Sequence, residues 1–583
     1  MNKVTLTIDN QKITVNEDMT IMQAAEIIGV NIPRLCYHPD LSLEGACRVC
    51  IVKVEGIDYF VASCSSKVQE GMVVQTNSPE IRQARRDIVE LILDNHPKEC
   101  QTCERNGNCE LQNLAYTMGV RERLFEGKRK RYPLENSSKA VVRDAEKCIL
   151  CGRCIRVCHE IQGVYNLSQH HRSSSTVVCP AYEANMDDSV CVQCGQCINA
   201  CPTAALQEKR HTDSVWKALN DPTKHVVVQT APSIRAAIGE GFGLEPGTPC
   251  TGKMVTALRI LGFDAIFDTN FGADLTIMEE SYELIKRIKE NKNLPLITSC
   301  SPGWVNFMEK FYPEFIPYAS SCKSPMSMVS TLLKTYYSQK INKPAKDIFV
   351  VAIMPCVAKK YEMDREELYI DEIKLTDAVL TTRELNWMIK SYGIDFTSLK
   401  DSEFDSPLGE SSGAGDIFGT TGGVMEAALR TAAEEVLGHL PTEIEFKEVR
   451  AVEGLREKEL QIGDMNLRIG VANGLVNAKK LLEEVKENKK QFHVIEIMAC
   501  PGGCIGGGGQ PYPPKGYKIL DEKLFAKRAK ALYTIDKSKK IRTSHDNPSI
   551  QKLYKDFLDK PGSDKAYKLL HTKYYAKYPR GVL

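Results

Sequence analysis

The chain has 583 residues, with 76 Lys+Arg against 75 Asp+Glu, a net charge of +1, 43% hydrophobic and 26% charged residues. That is the make-up of a globular protein of three or four domains at ~150 residues each. The basic excess of a nucleic-acid binder is missing, and with no run of ~18 apolar residues no membrane span is predicted. The N-terminus, MNKVTLTIDNQKITV, alternates like a strand and lacks the apolar core of a signal peptide, so a cytoplasmic location is expected.

Residues 4–8 and 12–15 alternate apolar and polar around Asn10-Gln11, which predicts a β-hairpin, and Thr20 to Ile28 reads as a short helix. Ser78-Pro79 offers an N-cap and a first-turn proline for a helix with Ile81, Ala84, Ile88, Leu91 and Ile92 on one face. Residues 97–140 are polar and irregular. Their basic run GKRKR (127–131) reads as a solvated linker or as a docking surface for an acidic partner. A CxxCxxCxxxC pattern occurs at 148–158 and again at 191–201, which predicts one duplicated module. From about residue 210 cysteines thin out. Strand signals at His225–Thr230, Leu294–Thr298, Ile348–Met354 and His493–Met498 then alternate with longer helical stretches, as in α/β architecture. The tail from about 525 carries two amphipathic helical patterns, 550–559 and 565–575.

The 22 cysteines carry the functional argument. They sit in short-spaced clusters without an export signal, so metal or redox use is favoured over a disulfide scaffold. Cys36, Cys47, Cys50 and Cys64 suit zinc or a [2Fe–2S] cluster, and the β-rich start favours iron. His96, Cys100, Cys103 and Cys109 suit structural zinc or a [4Fe–4S] cube with one imidazole ligand. The duplicated runs match the two-cluster bacterial ferredoxin pattern, in which the fourth cysteine of each run serves the other cluster. Cys148, Cys151, Cys154 and Cys201 are therefore expected on one cube, and Cys191, Cys194, Cys197 and Cys158 on a second. Cys179 is surplus. A chain of clusters carries single electrons, and their destination should lie in the remaining domain.

Three sparse motifs lie just past predicted strands: TSCSPGW (298–304), MPCVAKK (354–360) and EIMACPGGCIGGGG (496–509). Ligands in α/β sheets bind beyond the carboxyl ends of strands, so these cysteines can converge. At these residues the chain resembles the [FeFe]-hydrogenases of the large, multi-cluster clostridial type, over essentially its whole length. The resemblance implies a multidomain α+β and α/β protein. Its parts would be a β-grasp plant-ferredoxin-like [2Fe–2S] domain at 1–78, a [4Fe–4S] domain with one histidine and three cysteine ligands at 79–140, a two-[4Fe–4S] ferredoxin-like domain at 141–209, and an H-cluster catalytic domain with a C-terminal helical wrap at 210–583. It implies one [2Fe–2S] cluster, three accessory [4Fe–4S] clusters and an H-cluster, a [4Fe–4S] cube joined through cysteine to a diiron subsite with CO, cyanide and azadithiolate.

By motif position Cys504 would bridge the two parts, with Cys356 and Cys500 on the cube. Lys359 and Ser233, beside Pro232 in TAPS (230–233), would donate to the cyanides. Met354, Met498 and Phe418 would wall the diiron group. Protons would pass along Cys300, Glu280, Ser320 and Glu283, with Arg287 near the surface end. Two departures stand out. The family usually has two adjacent cysteines where this chain has Cys300-Ser301, so Ser301 ligates as an alkoxide, or Cys300 takes over ligation, or the cube is altered. Met326 stands where the family often has a glutamine. Cys250 and Cys322 read as buried small residues.

The implied reaction is 2H⁺ + 2e⁻ ⇌ H₂, with ferredoxin or an NADH-linked flavin and iron–sulfur partner outside. GEGFGLEPG (239–247) lacks the context of a dinucleotide fingerprint. The rival readings are an iron–sulfur subunit of an NADH or formate dehydrogenase complex, a hydrogen sensor of low turnover, and an assembly factor without the diiron pocket.

Overall fold

The computed structural model describes residues 2–121, 129–438, 445–450, 454–463 and 465–578. The N-terminal alternation forms strands Lys3–Ile8 and Gln11–Asn16 of a five-stranded sheet. The turn falls on Asp9-Asn10 rather than Asn10-Gln11. Both turn residues have positive φ, 44° and 67°, the left-handed region that Asn and Asp tolerate, so Gln11 already pairs with Ile8. Helix Ile21–Ile27 starts on a capping box, in which the Thr20 hydroxyl accepts from Gln23 N and the Gln23 side chain accepts from Thr20 N. It buries Ile21, Met22, Ala24 and Ala25 against the sheet, a β-grasp arrangement. Ser78 caps helix Pro79–Asp94.

The two cysteine runs have matching backbones. Leu150 and Gln193 have φ of 54° and 64°, and Gly152 and Gly195 have 70° and 76°. Each glycine starts a short helix, Arg153–Arg156 and Gln196–Ala200. Strand pairs Val141–Arg143 with Leu206–Glu208, and Ser168–His170 with Val177–Cys179, complete the module. Residues 127 and 128 of the basic run lie outside the described residues. Its far end leans on the module, with Lys130 donating to the Thr176 carbonyl (3.1 Å) and Arg131 to Glu146 (3.2 Å).

The remainder is built on two four-stranded sheets. One is parallel, in the order Ala265–Asp268, His225–Thr230, Ile348–Met354, Ala378–Thr381. The other runs Leu296–Ile297, Val494–Met498, Met465–Asn473, Leu455–Ile462, and only its last pairing is antiparallel. The strand expected at Leu294–Thr298 is only two residues long, because Pro295 has no N–H for a ladder. The charged strand Leu455–Ile462 and helix Glu522–Ser538 had no expectation from the sequence. The second tail helix is Asp564–Leu570, ending five residues before the expected 575.

The longest helix, Thr269–Glu290, carries MEESYELIKRI and starts on Asp268, whose side chain accepts from Asn270 N. Arg235, 1% exposed, clamps Asp268 through two nitrogens (2.7 and 3.2 Å) and Asp416 through one (3.0 Å). Removing one partner of a buried ion cluster strands the others. Arg235→Met should therefore cost about 3–5 kcal/mol of stability, read as a fall in the denaturant midpoint without a change in slope.

Candidate active site and its cluster ladder

Four strand ends point at one place. Thr230 leads into Pro232, Ile297 into Cys300, Met354 into Cys356, and Met498 into Cys500. Between them lies a cavity of about 80 Å³. Cys300, Ser301, Cys356, Cys500 and Cys504 line it together with Met354, Met498, Phe418, Pro232 and Met326. Gly503 sets up Cys504 with φ 87° and ψ −151°, a backbone geometry that only glycine adopts readily, and a side chain there would strike Thr421 N at 2.8 Å.

Burial pushes the thiols of Cys356 and Cys500 up, and that of Cys504 up to about 12, with neighbouring cysteines adding to the shift at Cys356 and Cys504. Sulfurs crowded in an apolar cavity are poor free thiolates and good ligands for a metal cluster, whose cations compensate their charge. The soft donor set fits an iron–sulfur cube, and the thioether and aromatic wall fits a water-excluding surround for a second metal group. Lys359 lines the cavity, with Nζ bonded to the Cys300 carbonyl (3.2 Å) and paired with Glu362 (2.5 Å). Ser233 stands behind the wall, its hydroxyl 3.4 Å from the Cys504 carbonyl and accepting from Gln510.

Cys300 and Ser301 both line this cavity but keep different neighbours. Cys300 packs with Met498, Phe418 and Ile277. The Ser301 hydroxyl accepts from Ala499 N at 3.2 Å, one residue from Cys500. Ser301 is in the extended region, so successive side chains diverge.

On the Cys300 side, Glu280 is buried and pushed up to about 8 by burial, opposed by a bond from Ser320. Ser320 Oγ lies 3.5 Å from Glu283, and Glu283 pairs with Arg287 at 2.6 Å. Glu280 and Glu283 do share a face of the long helix. Arg287 also donates to the carbonyls of Tyr318 and Ala319, which ties the helix to the loop carrying Ser320.

Adjoining the cavity, the N-terminal cysteines form a ladder. Cys158, Cys191, Cys194 and Cys197 surround one cavity, and Cys148, Cys151, Cys154 and Cys201 surround another, each drawing on both runs. Cys194 also lines the large cavity, and Gln196 donates to the Gly506 carbonyl (3.0 Å). A side chain at Gly508 would hit the Cys194 carbonyl at 2.4 Å, so the glycine run lets the two parts touch. His96, Cys100, Cys103 and Cys109 ring a third cavity. His96 Nδ1 faces the Pro97 carbonyl at 3.0 Å, so this nitrogen carries the hydrogen and Nε2 keeps the lone pair a metal needs. Cys36, Cys47, Cys50 and Cys64 bond among themselves, Cys36 to Cys47 and Cys64, and Cys50 to Cys64. Arg156 joins this group to the ladder, donating to the carbonyls of Cys36 (2.6 Å) and Cys151 (3.3 Å). Arg153 and Glu110 join the His96 group to it.

Sequence reading missed Glu496, which accepts from Gly422 N and Met425 N (2.7 Å each) and anchors helix Gly423–Leu437; the only hint was an acid before CPGGC. It also missed Glu279, Ser321 and His571 beside the proton-side residues, for which no local signal exists.

Known proteins share this arrangement. The family described as iron only hydrogenase large subunit, C-terminal domain, matches residues 224–508, and the iron hydrogenase small subunit matches 522–577. A 2Fe-2S iron-sulfur cluster binding domain matches 1–79, the NADH-ubiquinone oxidoreductase-G iron-sulfur binding region 85–123, and a 4Fe-4S dicluster domain 147–205. The NADP-reducing hydrogenase subunit HndD of Solidesulfovibrio fructosivorans is 46% identical over 99% of this chain and 100% of its own. Iron hydrogenase 1 of Clostridium pasteurianum is 43% identical over 98% and 99%. An apo [FeFe]-hydrogenase structure from Chlamydomonas reinhardtii aligns with a TM-score of 0.56 and 42% identity over 63% of this chain and 99% of that one.

Proposed function

The chain belongs to the iron-only hydrogenase family, and we propose that it interconverts protons, electrons and H₂ at the cavity between the strand ends. The observation that carries this reading is that one cavity, lined by Cys356, Cys500, Cys504 and Ser301, meets a cysteine ladder at Cys194 and, at Cys300, a buried carboxyl–hydroxyl chain. When bound, the H-cluster supplies the low-valent iron at which protons and electrons combine.

The chain's own residues do the rest. Cys356, Cys500 and Cys504 would hold the cube, and Ser301 would be its fourth donor. Lys359, a cation in an apolar wall, is placed to donate to an anionic cyanide. Met354, Met498, Phe418 and Pro232 exclude water. Cys300 and Glu280 hold protons at the cavity edge, and Ser320, Glu283 and Arg287 lead outward. Electrons travel through Cys194, shared by the cavity and the adjoining cube site. The ladder then forks at the Cys148–Cys201 site toward a [2Fe–2S] site and a His96-ligated cube, giving one [2Fe–2S] and three accessory [4Fe–4S] clusters. Two branches suit more than one outside partner. The full-length similarity to an NADP-reducing hydrogenase subunit supports a catalytic subunit that works with flavin and iron–sulfur partners, and ferredoxin remains the alternative donor. Among the described residues no helix is long and apolar enough to cross a membrane.

The test is infrared spectroscopy of anaerobically matured protein, with hydrogen evolution from a reduced dye measured on the same sample. CO and cyanide bands together with evolution are expected. Bands without evolution would favour the sensor, and no bands would leave an electron-transfer subunit.

A further inference from the structure

We propose that His571 stores a proton and feeds it to Glu283 through the Ser321 hydroxyl, a branch of the proton route opening into the cleft beneath the C-terminal tail. It rests on the relay reading above. The imidazole Nδ1 lies 2.8 Å from Ser321 Oγ, and Ser321 Oγ lies 3.2 Å from Glu283 Oε2. Nε2 lies 3.0 Å from Glu279, a fully buried carboxylate that also accepts from Tyr554 OH (2.5 Å) and Gly562 N (3.0 Å). The ring stacks on Tyr567 at 4.6 Å. Glu283, Cys322 and His571 present their oxygen, sulfur and nitrogen within 4.8 Å of one another. Glu283, Ser321 and His571 line one surface cleft, whose other charged groups are Arg287, Lys286, Glu290, Lys292 and Lys573.

Hydrogen bookkeeping makes this a two-state wire. A carboxylate only accepts, so Nε2 carries a hydrogen toward Glu279 in both states. With neutral His571, Nδ1 is an acceptor and the single Ser321 hydrogen turns to it, away from Glu283. With protonated His571, Nδ1–H donates to Ser321 and the hydroxyl turns to Glu283. Transfer breaks N–H at Nδ1 and forms O–H at Ser321, while the former Ser321 O–H breaks and O–H forms on Glu283. Imidazolium plus carboxylate becomes imidazole plus carboxylic acid.

The imidazole is not needed to hold the tail. Lys323 N donates to the Leu570 carbonyl and Thr572 N to the Ser321 carbonyl, both at 2.8 Å, and Cys322 bridges His571 through the backbone. His571→Gln and Ser321→Ala in the matured full chain should keep iron content and infrared bands. Both should lower hydrogen evolution above neutral pH by about tenfold, with little loss in acid, where bulk protons are plentiful. Added imidazole, reaching the cleft, should restore His571→Gln but not Ser321→Ala. Glu283→Gln is assayed alongside. If it loses activity while both variants keep the parent rate, pH profile and solvent isotope effect, the branch is wrong and the relay stands. If Glu283→Gln keeps full activity, the relay reading falls and the branch with it. Equal loss at all pH without rescue would reduce His571 to a structural latch.

Discussion

Ser301→Cys should raise iron retention and hydrogen evolution rather than impair them. Ser301 lines the cavity with the three thiols, and its hydroxyl accepts from Ala499 N, the residue before Cys500. Cys300 lines the same cavity but packs against the apolar cluster that holds Met498 and Phe418. On the proposed reading, a cube held by the three thiols would be offered an oxygen at its fourth position, a harder donor than the thiolate iron–sulfur clusters prefer. Outer partners of metal ligands carry ~10–100-fold in affinity or activity, and a ligating atom should carry at least as much. The gain on Ser301→Cys is expected in that range, read as iron per chain after chelator challenge and as a higher midpoint potential of the cube. Ser301→Ala should lose iron from that corner. If Ser301→Cys changes neither potential nor iron retention, Ser301 does not face the cube.

The cluster ladder was legible because ligand spacing is local. The crossed sharing of Cys158 and Cys201 follows from a duplicated run whose halves fold with the same positive-φ positions, 150 and 152 against 193 and 195. The cavity was legible for a related reason: strands end where glycine and cysteine motifs begin. What sequence could not carry is contact between distant segments. Arg235 meets Asp416 across 181 residues, and Ser321 meets His571 across 250. Nor does period alone find Leu455–Ile462, whose LREKELQI is charged because the strand lies at a sheet edge and is largely unburied. GEGFGLEPG starts inside a 3-10 helix, Ile238–Phe242, and its Glu240 holds buried Arg528 (2.7 and 2.6 Å), a structural use of a glycine-rich stretch that resembles a phosphate loop only in composition.

Glu280→Gln should lower hydrogen evolution by ~10²–10⁴-fold, the span that a positioned acid–base group contributes. The parent carboxyl, pushed up to about 8 by burial, holds its proton at neutral pH between Cys300 and Ser320. Glutamine keeps the shape and a donor but cannot release and rebind a proton. Infrared bands and dye-coupled reduction of the accessory clusters should be unchanged, because Glu280 lines neither this cavity nor any of the cysteine-lined cavities. Stability supplies an independent check. A carboxyl whose folded pKa lies above its unfolded value is protonated only in the folded state between about 4.5 and 8. The folded chain then binds the extra proton, so Glu280 makes stability fall as pH rises through that window, by an amount on the order of a few kcal/mol. Glutamine has no proton to lose, so the variant should show a flatter stability profile and outlast the parent at pH 8 and above. Loss of turnover together with that flattening separates a broken proton step from a broken fold. A variant that evolves hydrogen at the parent rate would remove Glu280 from the route.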